Sequence, residues 1–152
     1  MRLTEIKIHL CPDAGGRLKA FCSITLDDAL AVRDIKLIDG DNGLFLAMPS
    51  RKLADHCPGC REKNHLRARF CNNCGDRLNE NRYQRYRQGP DKLKLHADIA
   101  HPIHASARRY IEREVLAAYE RELTLSREPG YVPTPLDTDL PDLAIALKSG
   151  AA

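Results

Sequence analysis

The sequence predicts an α+β fold: an antiparallel β-sheet meander with a C-terminal helix packed on it, interrupted by a small four-cysteine segment. Three observations carry this. Residues 1–48 alternate apolar and polar side chains, with turn residues between the runs. Residues 105–123, ASARRYIEREVLAAYEREL, contain no Gly or Pro and repeat apolar residues at helical spacing. Between these stretches, Cys57, Cys60, Cys71 and Cys74 fall as two Cys-x-x-Cys pairs.

In the first strand, TEIKIHL, Ile6, Ile8 and Leu10 share one face and Lys7 and His9 the other. That period of two marks a half-buried strand. CPDAGGR then supplies a hairpin loop. The second strand, RLKAFCSITL, sets Leu18, Ala20, Cys22, Ile24 and Leu26 against Lys19, Ser23 and Thr25. Asp27 and Asp28 turn the chain into LAVRDIKLI, whose alternation slips a phase near Arg33 and Asp34, the sign of a β-bulge. DGDNG makes the next turn and LFLAM the last strand.

A sheet with one apolar face needs a cover. The helix supplies it with Ala107, Ile111, Val115, Ala118 and Tyr119 on one side. Ser106 is its expected cap, and Glu114 and Glu120 belong to the solvated side. Cys22 lies on the apolar side of its strand, where a free thiol acts as a small hydrophobe, and Cys11 ends a strand beside a turn.

The segment CPGCREKNHLRARFCNNCG places four thiols as Cys57-x2-Cys60-x10-Cys71-x2-Cys74. Each Cys-x-x-Cys turn can present two sulfurs to one ion, and four cysteines suit a tetrahedral Zn2+. Iron competes, since the same four thiolates hold it. The pattern resembles a short zinc ribbon, FCNNCG most of all. Gly75 suits a left-handed backbone position. Such a site has no open coordination position and is structural. His56 and His65 are read as surface histidines, because four sulfurs already complete the site.

Charge around the cysteines suits either a polyanion or a solvated, flexible return to the sheet. From Asp55 to Pro90 there are eight Lys and Arg against four Asp and Glu, although four thiolates around a divalent ion offset part of that excess. Lys63, Arg67 and Arg69 lie between the pairs, and Arg82, Arg85 and Arg87 interleave with Tyr83 and Tyr86. Arginine forks match phosphates and tyrosine rings stack on unpaired bases. Arg108 and Arg109 fall in the first helical turn, where cations oppose the helix dipole, which favours a binding role over a structural one.

The runs SITLDDALAVRDIKLIDGDNGLFLAMPSRK and DIAHPIHASARRYIEREVLAAY resemble the SpoVG family of bacterial regulators. The resemblance covers roughly residues 1–54 and 92–123. It implies a small cytoplasmic protein that binds DNA and in some cases RNA, influences septation and sporulation, dimerises, and is not an enzyme. It further implies nucleic-acid contacts from basic residues after AMPS and at the helix start, which correspond to Arg51, Lys52, Arg108 and Arg109. The departure from the family pattern is the stretch from Arg51 to Ala97, where the family has only a few residues.

Three segments follow: a SpoVG-like sheet–helix domain at 1–54 and 91–126, a zinc-ribbon-like insertion at 55–90, and a Pro-rich acidic tail at 127–152. The tail begins as an extended linker. Leu140, Leu143, Ala144 and Leu147 have helical spacing, but a frayed terminus is the preferred reading. No run reaches the roughly 20 apolar residues of a membrane span, and MRLTEIKIHL is no secretory leader, so a cytoplasmic protein is expected, and the resemblance to the SpoVG family implies a homodimer. No paired carboxylates or phosphate-cradling Gly loop suggest catalysis or a small-molecule substrate. The competing expectation is a protein-interaction adaptor that uses the cysteine segment without touching nucleic acid.

Overall fold

The computed structural model describes residues 1–12, 15–87, 90 and 94–136. Contacts divide the chain into two compact units, one built from Met1–Met48 with the chain from Pro102 onward, the other from Pro49–His101.

The first unit is an antiparallel meander, β1 (Leu3–Leu10), β2 (Leu18–Leu26), β3 (Leu30–Gly40) and β4 (Gly43–Ala47), in sequential order, with helix α1 (Ala105–Leu125). The α+β architecture expected from the alternation is the one observed. Ile8, Ala20, Cys22, Ile24, Ile35, Leu37 and Leu46 form the buried face of the sheet. The buried residues of α1 are the five that the helical spacing picks out, Ala107, Ile111, Val115, Ala118 and Tyr119. Burying side chains of this size stabilises by about 1.5–3 kcal/mol each for the larger ones.

The phase slip in β3 is a bulge. Ile35 pairs with Cys22 and Val32 with Ile24, so Arg33 and Asp34 together oppose Ser23. Asp34 takes the left-handed conformation, φ 59°, that lets the strand absorb the extra residue. Asp27 and Asp28 are both left-handed as well (φ 49° and 53°), and Ala29 N–H closes their turn on Leu26 O at 2.9 Å. That backbone matches the twist of a hairpin, and Asp tolerates it better than most residues.

The cap of α1 differs from the expectation. His104, not Ser106, is the N-cap: its Nδ1 accepts from Ala107 N–H at 3.1 Å. The Ser106 hydroxyl lies 2.7 Å from the same nitrogen, so it supports the imidazole instead of capping the backbone.

From Tyr131 to Leu136 the chain is irregular but tied down. Tyr131 Oη donates to Glu122 Oε1 at 2.5 Å, and His9 Nδ1 meets Thr134 O at 2.6 Å. The start of the tail is thus fastened to the helix and to β1 rather than running as a linker. The helical spacing of Leu140 to Leu147 lies outside the described residues. No helix among the described residues is long and apolar enough to cross a membrane.

The second unit holds β5 (Ser50–Lys52), β6 (Ala54–His56), β7 (Lys63–His65), a 3-10 turn at Arg82–Tyr86 and β8 (His96–Asp98). β5 pairs with β8 and β6 with β7, both antiparallel. The compact unit is therefore wider than the 55–90 segment, because the strands by which the chain enters and leaves pair with each other inside it.

Candidate metal centre and basic surface

The two Cys-x-x-Cys segments fold into the same turn twice. Cys57 N–H donates to Glu62 O and Cys71 N–H to Asp76 O, each at 2.8 Å and five residues on. Arg61 N–H returns to Cys57 O at 3.0 Å, and Gly75 N–H to Cys71 O at 3.1 Å. The residue after each second cysteine is left-handed: Arg61 at φ 69° and Gly75 at φ 78°. Gly75 meets the sequence expectation. Arg61 does the same job with a Cβ, which costs about 1–2 kcal/mol.

These turns bring the four sulfurs together. Every pair lies within 4.8 Å, with Cys57 to Cys74 at 3.7 Å and Cys60 to Cys71 at 3.5 Å. A tetrahedral ion with bonds near 2.3 Å needs sulfurs about 3.8 Å apart, so the four cysteines can hold one metal ion.

Asn64 completes the centre. It is the buried polar residue of the unit, 4% exposed. Its Oδ1 accepts from Asn72 N–H at 2.8 Å, while Nδ2 donates to Glu62 O at 3.1 Å and to Cys71 Sγ at 3.4 Å. One side chain thus joins both turns and a sulfur. Sequence reasoning passed over it, since a lone Asn between cysteine pairs carries no pattern.

The thiols do not ionise alike. Cys71 is drawn down to about 6, chiefly by the Cys74 N–H, with help from the Asn73 N–H and the Asn64 amide. Cys60 is also lowered, first by the Glu62 N–H and then by the Asn73 side chain. The Asp76 N–H pulls Cys74 down, but burial and the sulfurs of Cys60, Cys57 and Cys71 outweigh it and push it up to about 12. Crowded sulfurs cannot all become thiolates unless a cation joins them.

Apolar packing around the centre is slight. Among the described residues, Leu66 and Leu78 are the buried aliphatic side chains of the unit, and Leu78 packs with Cys57 and Cys71. Its other brace is ionic. Arg82 Nε donates to Asp55 Oδ1 at 2.8 Å, and its terminal nitrogens donate to Ala68 O at 2.6 Å and His65 O at 2.5 Å. The side chain is only 9% exposed. This differs from the expectation for Arg82: Asp55 and the carbonyls of Ala68, Asn79 and His65 take most of its guanidinium donors, so it binds the unit together instead of standing open to phosphate.

The remaining basic residues keep their charge outward. Arg51, Lys52, Lys63, Arg67, Arg69, Arg85 and Arg87 are exposed on the cysteine unit. Tyr83 and Tyr86 are half-buried on the 3-10 turn. Arg108 and Arg109 are exposed in the first turn of α1 and belong to the sheet–helix unit, where Arg108 faces Glu112 at 3.4 Å.

Comparison with known proteins matches the SpoVG family model over residues 1–121. The chain belongs to the SpoVG family. Its curated relatives include proteins named as SpoVG septation proteins. That of Desulforudis audaxviator is 38% identical over 120 residues, covering 79% of this chain and 92% of the relative. That of Anaeromyxobacter is 33% identical over 138 residues, 91% and 97% of the two chains. The Myxococcus xanthus protein is 30% identical over 139 residues, 91% of this chain and all of the relative. The SpoVG match begins at the first strand and ends within α1, so the cysteine unit lies inside it.

Proposed function

We propose that this SpoVG-family chain is a non-catalytic regulator that binds DNA or RNA, acting as a cytoplasmic homodimer, with a structural Zn2+ on Cys57, Cys60, Cys71 and Cys74. The observation that carries the reading is the state of the cations on the cysteine unit. Among the described residues, Arg51, Lys52, Lys63, Arg67, Arg69, Arg85 and Arg87 have no carboxylate within ion-pair distance. Meanwhile Asp55 and Glu80 of the same unit are taken by Arg82 and Arg77. A small unit that pairs some charges and leaves these arginines open suits a polyanion. Arg108 and Arg109 would add phosphate contacts from the sheet–helix unit.

The ion would hold the unit in shape, because four sulfurs leave no position for substrate or water. Zinc is preferred over iron for that closed tetrahedral site, and metal analysis of the purified chain separates the two.

Titration with single- and double-stranded DNA and RNA over a range of salt tests the reading. Affinity should fall linearly in log–log form, with a slope near −0.7 to −0.9 per phosphate neutralised. Binding that ignores salt, or no binding at all, rejects it. A second reading, a protein adaptor, rests on Phe70 and Ile99, which are 59% and 66% exposed on the same unit. A stable protein partner recovered with no shift of any nucleic acid would favour that reading.

A further inference from the structure

The cysteine unit contains a recess that the metal centre does not use. It is lined by Lys52, Leu53, His65, Leu66, Arg67, Leu95 and His96, with a volume near 160 Å³. Its floor is apolar and built on three hydrogen-bonded backbone segments. Leu53 N–H donates to Leu95 O at 2.8 Å, and Leu66 N–H donates to Leu53 O at 3.1 Å. Leu66 is 1% exposed, and Leu53 and Leu95 are half-buried. The rim is cationic and aromatic: Lys52 and His96 are register partners across β5 and β8, and His65 and Arg67 flank Leu66. All four rim residues are exposed. A second recess, near 280 Å³, shares Leu66 and Arg67 and continues to Arg69 and Tyr83.

We propose that the first recess seats one unpaired nucleobase, with the adjoining phosphate on Lys52 and Arg67. The inference rests on the nucleic-acid reading above and names the part of the polymer this site takes. Three features fit a nucleotide. A cavity of about 150 Å³ is enough for a benzene-sized ring. The leucine floor accepts a flat ring while His65 and His96 offer imidazole planes and ring nitrogens at its edge. Lys52 and Arg67 supply the charge a phosphate needs, and Arg67 stands between the two recesses, where a strand passing from one to the other would place its backbone. Tyr83 in the second recess then offers a stacking surface for the neighbouring base. A base held within a duplex cannot enter such a pocket, so the site selects single strands.

The test uses the full-length, metal-loaded chain and two oligonucleotides of equal length and charge, an oligo-dT and its abasic counterpart, with the matching duplex as a third ligand. The wild type should bind oligo-dT about five- to tenfold more tightly than the abasic strand, and more tightly than the duplex. The double variant His65→Ala/His96→Ala touches only exposed rim residues. It should lose most of that preference, keeping only the part that Tyr83 supplies, while its affinity for the abasic strand, metal content and thermal melt stay unchanged. Lys52→Ala/Arg67→Ala should weaken both strands together. Equal, salt-sensitive binding of oligo-dT and abasic strand by the wild type overturns the pocket and leaves the nucleic-acid reading standing. So does a preference that the histidine substitutions leave undiminished. Failure to bind any of the three ligands overturns both.

Discussion

Cys22 in the sheet–helix unit and Cys71 in the cysteine unit are equally hidden, at 3% and 4% exposed. Their thiols nevertheless move in opposite directions. Burial, with a smaller push from Cys11, raises Cys22 to about 12. N–H groups led by that of Cys74 lower Cys71 to about 6. Around Cys22 the neighbours are Ile8, Ile35 and other hydrocarbon, so the neutral thiol is simply part of the core. Around Cys71 the neighbours are donors aimed at sulfur. Low exposure therefore means different things in the two units, since Cys22 lies deep in a core and Cys71 is screened only by a thin cover. One excludes water to keep apolar surface together; the other surrounds sulfur with dipoles that favour the anion a metal binds.

The two units should consequently fail by different routes. If the four cysteines hold the proposed ion, its removal by chelator or by Cys71→Ser has the largest expected effect. Structural zinc sites supply about 10–16 kcal/mol of apparent binding free energy, far beyond what Leu66 and Leu78 contribute by burial. Amide exchange should show protection vanishing across residues 49–101 while β1 to β4 and α1 keep theirs. Simultaneous loss in both units would erase the distinction.

Next comes Leu37→Ala, which empties a fully buried position in the core that the sheet and helix share. A cost of about 2–5 kcal/mol is expected in denaturant unfolding of the sheet–helix unit, with metal affinity unmoved. Arg82→Ala is the counterpart in the cysteine unit. It leaves Asp55 without its partner and frees the carbonyls of Ala68, Asn79 and His65. A loss of about 1.5–3 kcal/mol should appear as weaker metal retention against a competing chelator, with the sheet–helix melt unchanged. If nucleic-acid affinity also falls, it should fall through this unfolding, and saturating Zn2+ should restore it.

The smallest effect is a gain. Arg61→Gly relieves the left-handed backbone of the first cysteine turn and makes it match the second. Tighter metal retention by up to about 1 kcal/mol is expected, because the relief is partly offset by glycine's freedom in the unfolded chain. A loss on this substitution would mean that Arg61 has a contact outweighing its strain.

The sheet–helix unit could be read from the chain because its pattern is local. Alternation along β1 and β2, the slip at Arg33 and Asp34, and the spacing from Ala107 to Tyr119 each need only neighbouring residues. The cysteine quartet was legible for the same reason: two identical spacings announce two identical turns. What escaped depends on partners distant in sequence or on unusual chemistry. Arg82 looks like one more exposed arginine in NRYQRYR until Asp55, 27 residues earlier, is placed beside it. The pairing of β5 with β8 joins three-residue strands that have no periodicity to detect. His104 caps the helix through a ring nitrogen, a role usually given to hydroxyls and carboxylates, so Ser106 drew the expectation.

The pairing of Ser50 with Asp98 and Lys52 with His96 also bears on modularity. Departure and return occur side by side, so everything from residue 53 to 95 hangs from a single antiparallel stem. Replacing that whole excursion with a two-residue hairpin turn would close the stem on itself without stretching either strand. The shortened chain should retain its sheet and helix, as a building survives the removal of a balcony hung on two adjacent beams. Such a graft point accepts cargo as readily as it gives it up, which makes it a natural address for installing other small folded modules.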